Sequence, residues 1–317
     1  MSTILVTGAN GFVGGHLVPA LLRAGHRVIA LVRSEPAGET VLSRLLTNDR
    51  ARVELRRGDV TRPAALPQAV KGVDAVVHLA AIPRDYSRGA ELRLVNTEGT
   101  RAIVAAMGQT GVRRLIHMGS LGVVDDPSLH YASSKAKAEA LVAQSGLDWT
   151  ILKPSLQFGP GDGFFNILAG LVRWSPGLVP VPGDGSSRFQ PIHAGDVARV
   201  VVASLADPAT IGATIELGGP RYWTYREITR EVMAALGKRR AILPIPVPLI
   251  RLVAGGAELV HLPFPVATDQ LRQLRLDNIG PLDLIPTVFG FDPRPMEGAL
   301  AYLRFKPRDQ LARAGRA

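Results

Sequence analysis

The chain has 317 residues, of which 46% are hydrophobic and 20% charged, and it carries a formal charge of +10. That apolar content excludes a disordered, collagen-like or coiled-coil chain, and at about 150 residues per domain it provides for one large domain or two closely joined ones. Cysteine is absent, which removes disulfides, iron–sulfur clusters, thiolate zinc fingers and thiol catalysis. Only six of the 37 basic residues are lysines, so arginine-heavy coding accounts for the charge as readily as an anionic partner does.

In chain order, short β-branched runs at 3–7, 27–32, 52–55, 74–79, 113–118 and 149–152 predict strands. Between them, helical patterns cover 11–24, 39–47, 63–70, 90–107 and 131–145. Strands such as Ile4-Leu5-Val6 and Ala75-Val76-Val77 are apolar on both faces, as buried parallel strands are. Strands alternating with helices in this way predict an α/β fold with a Rossmann-type doubly wound parallel sheet. After Lys153, proline and glycine become dense. A helix at 194–205 and a strand at 213–217 are expected to rejoin the sheet, and helices near 225–236, 248–259, 268–275 and 297–304 to form a smaller lobe. The expected division is a dinucleotide-binding domain over 1–160, its sheet completed within 190–220, and a substrate or interaction lobe over 161–317.

The N-terminus lacks a basic leader, and the most apolar stretch, 241–268, is broken by five prolines and Gly255-Gly256. Neither a signal peptide nor a spanning helix is expected. A cytoplasmic protein is the first expectation, and a peripheral position at the inner face of a membrane the alternative.

Thr7-Gly8-Ala9-Asn10-Gly11-Phe12-Val13-Gly14 follows the first strand and opens the first helix with GxxGxxG spacing. Glycines there permit a tight turn, close backbone approach to a pyrophosphate, and helix–strand packing, while the helix N-terminus attracts the anion. Gly8, Asn10, Gly11, Phe12, Val13 and Gly14 are therefore expected to hold a dinucleotide. Where NAD-preferring folds end the second strand with an acid, this chain has Arg33 and Ser34. A guanidinium and a hydroxyl suit a 2′-phosphate, so NADP(H) is expected over NAD(H), the bland alternative being a solvated surface arginine. Asp59 and Val60 end the third strand, where the acid can accept from an adenine amino group. Leu79, Ala80 and Ala81 end the fourth, small enough to let backbone lie along the cofactor. Both segments also read as ordinary loop chemistry.

Tyr131 and Lys135 form a YxxxK at the start of a helix, and residues four apart share a face. The ammonium is expected to lower the phenol's pKa and make Tyr131 an acid/base near neutrality. Ser120, just past the fifth strand, can donate a hydrogen bond to a substrate oxygen.

Gly8/Gly11/Gly14, Asp59, His78-Leu79-Ala80-Ala81, Ser120 and Tyr131/Lys135 together resemble the short-chain dehydrogenase/reductase superfamily, extended type. The run from Leu152 to Asn166, Phe189-Gln190-Pro191-Ile192-His193 with Asp196-Val197, and the late Asp269-Gln270, Leu274 and Asp277-Asn278 narrow the likeness. They resemble the atypical branch related to the nucleotide-binding accessory subunit of respiratory complex I. The resemblance implies a catalytic triad of Ser120, Tyr131 and Lys135. It implies that Asn96 orders the proton path beside the cofactor, and that Pro154 and Ser155 contact the nicotinamide amide. Two departures argue against a sugar-nucleotide epimerase or dehydratase, which is the third reading. Ser120 and Tyr131 are only eleven residues apart, and the asparagine of those enzymes is replaced by Ser155-Leu156-Gln157. Relatives in the complex I branch bind NADPH without established turnover. The alternative to an oxidoreductase is thus a non-catalytic NADP(H)-binding protein that acts structurally or as a sensor.

On the substrate side, Phe158, Phe164 and Phe165 are candidates to line an apolar pocket, with core packing as the alternative. Arg188, Gln190 and His193 are candidates to bind an anionic or carbonyl group. The expected partner is a small molecule, apolar or amphipathic. A protein partner or a membrane-surface contact through 241–268 or the basic tail remains open, as does the oligomeric state. No metal-ligand spacing and no nucleic-acid module is present in the sequence.

Overall fold

In the computed structural model, residues 1–84, 87–250, 277–307 and 310–311 are described. The chain divides into two compact units, the first formed by 1–154 and 194–217, the second by 155–193 and the described residues after 217.

The first unit starts with β1 (Thr3–Thr7), α1 (Phe12–Arg23), β2 (Arg27–Val32), α2 (Glu35–Ser43), the short α3 (Thr47–Arg50) and β3 (Val53–Arg57). A 3-10 turn runs into α4 (Leu66–Val70), then β4 (Ala75–His78) and the single turn α5 (Ala90–Leu92). A π-helical stretch, Arg93–Glu98, leads into α6 (Gly99–Thr110), followed by β5 (Arg114–Met118), α7 (His130–Ala143) and β6 (Asp148–Pro154). The seven-stranded sheet has the order β11-β6-β5-β4-β1-β2-β3, every neighbouring pair parallel. β11 (Ala213–Leu217) joins it beside β6 after α9 (Ala194–Ala206). This is the doubly wound architecture expected from the alternating pattern.

β1 explains the apolar runs. It pairs with β2 on one side and β4 on the other, Val6 lying against Ala30 and Val77, so no side chain from Ile4 to Val6 meets water. The order reverses between β1 and β4, and at such switch points a doubly wound sheet opens a crevice at its carboxyl edge. Leu5, Ile29, Leu66, Val76, Ile103, Met107 and Leu115 fill one layer between sheet and helices. Arg114 anchors the completing elements, donating to the carbonyls of Asp148 (2.8 Å) and Ser204 (2.5 Å) and to Thr210 Oγ1 (3.0 Å).

The second unit holds β7 (Gln157–Phe158), α8 (Phe164–Trp174), β8 (Leu178–Pro182), β9 (Arg188–Phe189), β10 (Ile192–His193), β12 (Trp223–Thr224), α10 (Tyr225–Ala235), β13 (Ala241–Ile245), α11 (Leu284–Phe289) and a 3-10 turn, Ala299–Arg304. Among the described residues its strands pair in twos, β7 with β10, β9 with β12, and β8 with β13, and Phe189 of β9 also bridges Asn278. The core is Phe158, Phe165, Leu168, Val172, Trp223, Ile228, Val232, Met296 and Leu300. α10 starts where its sequence says it should, because Thr224 and Glu227 form a reciprocal capping box, an arrangement worth about 1 kcal/mol.

Several expected elements differ. α2 begins at Glu35 rather than residue 39, with Pro36 in its first turn. α8 has no counterpart in the expected elements. The helix expected near 297–304 is a 3-10 turn, and 241–245 is a strand paired with β8. The helices expected at 248–259 and 268–275 lie largely or wholly outside the described residues, as do Asp269-Gln270, Leu274 and the basic tail beyond Leu311.

Candidate functional site

The glycine turn sits at the end of β1. Gly8 takes φ +69°, a left-handed conformation that favours glycine, and a Cβ there would stand 3.0 Å from the Ala80 nitrogen. At Gly14 a Cβ would lie 2.4 Å from the Ala9 carbonyl oxygen, so any side chain would push α1 off the turn. Gly11 is the N-cap of α1, no side chain caps the helix, and its first turn holds no acid. The leading N–H groups of a twelve-residue helix are thus left for an anion. Asn10, Phe12 and Val13 are all partly exposed on this turn. The cradle fits a pyrophosphate.

Two neighbours of the turn went unseen in the sequence. Arg44, just past α2, donates to the carbonyls of Asn10 (3.0 Å) and Gly11 (2.8 Å), and burial lowers its pKa from the ordinary arginine value. It satisfies those carbonyls and brings a cation to the turn. Thr7 Oγ1 accepts from the backbone nitrogens of Leu79 and Ala80, both at 3.1 Å, and contacts His78 Nδ1 at 2.8 Å. The Leu79–Ala81 backbone is thereby held against the glycine turn.

Arg33 and Ser34 are exposed at the end of β2. Ser34 is the N-cap of α2 but makes no side-chain capping bond, so its hydroxyl stays available. Asp59 lies close enough to Arg33 and Arg62 for their charges to help its hydrogen bonds to Thr61 hold its carboxyl below the usual range against burial. Its Oδ1 accepts from the Thr61 nitrogen (2.9 Å) and Oγ1 (2.8 Å). Val60 points into the core.

Ser120 and Tyr131 interact, with Lys135 one turn further along α7, and the electrostatic outcome differs from the expectation. The Ser120 hydroxyl hydrogen-bonds the phenol of Tyr131, favouring the phenolate, yet burial and the nearby Glu139 charge prevail and raise the pKa. Lys135, 4% exposed, donates its Nζ to the Met118 carbonyl oxygen, and burial pushes it down to about 8 while Glu139 holds it up. The expected lowering of the phenol by the ammonium is therefore corrected: the lysine serves a β5 carbonyl, and the phenol titrates above its ordinary range.

Glu139 is the residue that spacing alone did not flag. It stands four residues beyond Lys135 on α7. Its Oε1 accepts from the Ser120 backbone nitrogen at 3.1 Å, and its Oε2 pairs with Lys153 at 3.2 Å, both side chains largely buried. Asn96, 2% exposed, accepts from the Ile82 nitrogen (2.9 Å) and donates to the Ile82 carbonyl (3.1 Å) and Ser134 Oγ (3.0 Å). It ties the loop after β4 to the residue preceding Lys135, from a π-helical segment of the kind often found at functional sites. Beneath them His78 and His117 stack with centroids 5.5 Å apart. Burial and the Lys135 charge hold His78 down to about 3 and His117 well below the ordinary value, and neither His117 nitrogen has a hydrogen-bond partner among the described residues.

The remaining candidates fall mostly in the second unit. Pro154 ends β6 and its carbonyl accepts from Leu121 at 3.0 Å. Ser155 Oγ donates to the Asn278 carbonyl at 2.7 Å and accepts from the Gln190 nitrogen at 3.1 Å. Phe158 and Phe165 are 0% exposed within the core, and Phe164 packs edge-on against Phe165 and Tyr225. For Phe158 and Phe165 the pocket-lining expectation gives way to packing, because an aromatic ring at this depth meets only protein. Gln190 is likewise spent: Nε2 donates to Gly219 O (2.9 Å) and Oε1 accepts from Gly280 N (2.7 Å). Arg188 forms an ion pair with Asp277. His193 lies edge-on to Phe158, centroids 5.2 Å apart.

Among the described residues no group of three His, Asp or Glu could hold a metal ion, and no helix is long and apolar enough to cross a membrane.

Comparison with known proteins agrees with this geometry. The NAD(P)H-binding family model matches residues 8–208. The Arabidopsis thaliana NADH dehydrogenase [ubiquinone] 1 alpha subcomplex subunit 9, mitochondrial, is 28% identical over 283 residues, 87% of this chain and 68% of that protein. A ceramide reductase of Caulobacter vibrioides is 31% identical over 277 residues, covering 86% of this chain and 83% of that one. Among solved structures, a dTDP-glucose 4,6-dehydratase from Streptomyces venezuelae, with NAD and TYD bound, superposes with a TM-score of 0.73 at 22% identity, over 99% of this chain and 98% of that one. At that identity the likeness is one of fold. The chain belongs to the NAD(P)H-binding family, among the extended, atypical short-chain dehydrogenases/reductases that resemble the complex I accessory subunit.

Proposed function

We propose that the protein is an NADP(H)-dependent reductase of a carbonyl group on an apolar or amphipathic small molecule, with Tyr131 as the acid. The observation that carries this reading is the Ser120–Tyr131 hydrogen bond, with the buried Lys135 on the same helix face. When bound, NADPH would supply the hydride for the carbonyl carbon, itself becoming NADP+. Ser120 orients the carbonyl oxygen, and Tyr131 gives its phenolic proton to that oxygen as the alkoxide develops. The phenol, its pKa raised by burial, is protonated at neutral pH and so is present in the form that can donate.

Three features support NADP(H) over NAD(H): an arginine and a free hydroxyl at the end of β2, no acid in that position, and the Arg44 cation at the glycine turn. The 31%-identical ceramide reductase supports a reductase and a substrate with long apolar parts. Asp59, Val60, Leu79, Ala80, Ala81, Asn96, Pro154 and Ser155 are proposed as supporting cofactor contacts. That of Asn96 is indirect, through the Ile82 backbone that it holds.

A second reading, a protein that keeps the nucleotide as a structural or sensing ligand, is favoured by one observation. Lys135 spends its Nζ on Met118, and with that bond kept it does not activate the phenol. The test is NADPH consumption against a panel of ketones with increasing chain length. The reductase reading expects turnover that Tyr131→Phe lowers by about 10³-fold while NADPH still binds. Tight NADPH binding with no turnover on any ketone would establish the second reading instead.

A further inference from the structure

In the second unit, α8 ends on Trp174, whose side chain is 89% exposed, although tryptophan is ordinarily well buried. Leu178, Leu243 and Phe305 are 52%, 42% and 40% exposed. Backbone and side-chain bonds gather these residues. The Ala241 nitrogen donates to the Gly177 carbonyl (3.0 Å), and the β8–β13 register sets Ala241 against Leu178 and Leu243 against Pro180. Arg173 donates to the Leu303 carbonyl, and Arg304 Nε to the Ala235 carbonyl at 2.8 Å. The carboxyl ends of α8 and α10, the β8–β13 pair and the 3-10 turn therefore meet in one region.

That region is also strongly basic. Arg173, Lys238, Arg239, Arg304 and Lys306 are exposed, and Arg240 donates to the Ser175 carbonyl at 2.9 Å. Residues 163–183, 232–250 and 299–307 contain no aspartate or glutamate. Arg173 and Arg304 have an ordinary reason to be there, since they satisfy carbonyls near helix ends. Lys238, Arg239 and Lys306 have none, because they make no side-chain hydrogen bond or ion pair with any described residue.

We propose that this surface docks on an anionic lipid bilayer, Trp174, Leu178 and Leu243 entering the headgroup region while Lys238, Arg239 and Lys306 meet lipid phosphates. An indole with its ring in water is the side chain best suited to the bilayer interface, where one end stays wet and the other apolar. Cations that hold no fixed partner among the described residues suit headgroups that rearrange to meet them. Two of the three are lysines, point charges on flexible stems rather than the oriented forks that a carboxylate on a partner protein rewards. With no helix among the described residues long enough to span, the contact is peripheral, and its strength combines apolar burial with attraction to anionic lipid.

The test is flotation of the full chain with vesicles of phosphatidylcholine containing about a third phosphatidylglycerol, against phosphatidylcholine alone, at low and high salt. The expected result is binding to the anionic vesicles only, weakened by salt, with a blue shift of tryptophan emission that disappears in Trp174→Phe. A triple charge reversal, Lys238→Glu, Arg239→Glu and Lys306→Glu, is expected to weaken binding by roughly a hundredfold with an unchanged melting profile. The proposal is overturned by no binding to either vesicle, which would leave an acidic protein surface as the occupant, by equal binding to both, or by binding that the triple reversal leaves intact. The assay contains no cofactor, so its failure is distinguishable from failure of the reductase reading.

Discussion

The two units treat polar and aromatic side chains in opposite ways. At the carboxyl edge of the first, backbone and buried residues do the holding: Thr7 fixes the Leu79–Ala80 strand end, Arg44 the glycine turn, Asn96 the loop at Ile82. The side chains that face outward there, Arg33 and Ser34, are left free for a ligand. In the second unit the side chains named as substrate candidates are consumed by the fold, with Phe158 and Phe165 in its core and Gln190 satisfied at Nε2, Oε1 and its backbone nitrogen. A residue's type at a promising chain position says little until its partners are counted. Free valence near a held backbone separates a site from a scaffold.

That contrast can be broken most forcefully at Phe158. Phe158→Ala empties a fully buried position and is expected to cost about 4 kcal/mol in urea unfolding, with NADPH affinity of the folded fraction unchanged. A loss of affinity at unaltered stability would return this ring to the ligand. The converse experiment is Glu139→Gln. It leaves Lys153 largely buried without its counter-charge, for a loss of about 3 kcal/mol, and it removes the negative charge that raises Tyr131. The alkaline limb of the pH–rate profile, where the Tyr131 phenol loses its proton, is then expected to move down, while a purely structural glutamate would lower stability with the profile in place.

The doubly wound sheet was legible because β1, β2 and β4 are apolar on both faces and the intervening helices end on glycines such as Gly25 and Gly111, with φ +87° and +74°. The turn at Gly8 and the placing of Tyr131 and Lys135 on one helix were legible because their spacing is local. Arg44 and Glu139 were not, since their partners lie 33–34 and 19 residues away, and no periodicity encodes such a distance. The direction of the Tyr131 shift was lost for a related reason. Helical spacing puts Lys135 on the right face, but burial and the charge of Glu139 set the direction of the shift. α8 escaped notice because proline- and glycine-rich loops on both sides obscure an otherwise strong apolar stripe.

The buried histidines give a smaller effect with a definite sign. His78 and His117 stay neutral in the fold, so below about pH 6.5 the unfolded chain binds protons the native state refuses, and stability falls as the medium is acidified. Asp162, buried and pushed up to about 6, opposes them. Between about pH 4 and 6 the folded chain keeps a proton there that the unfolded chain loses, so its contribution declines as pH rises. Two histidines against one carboxyl leave a net loss of up to about 1.4 kcal/mol per unit of acidification in that window. His117→Leu is expected to flatten the slope and Asp162→Asn to steepen it, as read by urea unfolding at a series of pH values. A slope that neither variant changes would remove both groups from the account.

The most direct test of the central claim, that the carboxyl edge of the first unit is an NADP(H) site with Arg33 at its 2′-phosphate, is a paired calorimetric titration. NADPH and NADH would each be titrated into the wild-type chain and into Arg33→Ala. The account predicts that the wild type binds NADPH at least tenfold more tightly, the ratio expected from about 1.5–3 kcal/mol in charge-assisted hydrogen bonds, and that Arg33→Ala loses most of the gap while NADH affinity holds. Equal affinity for the two nucleotides in the wild type, or tighter binding of NADH, would contradict it.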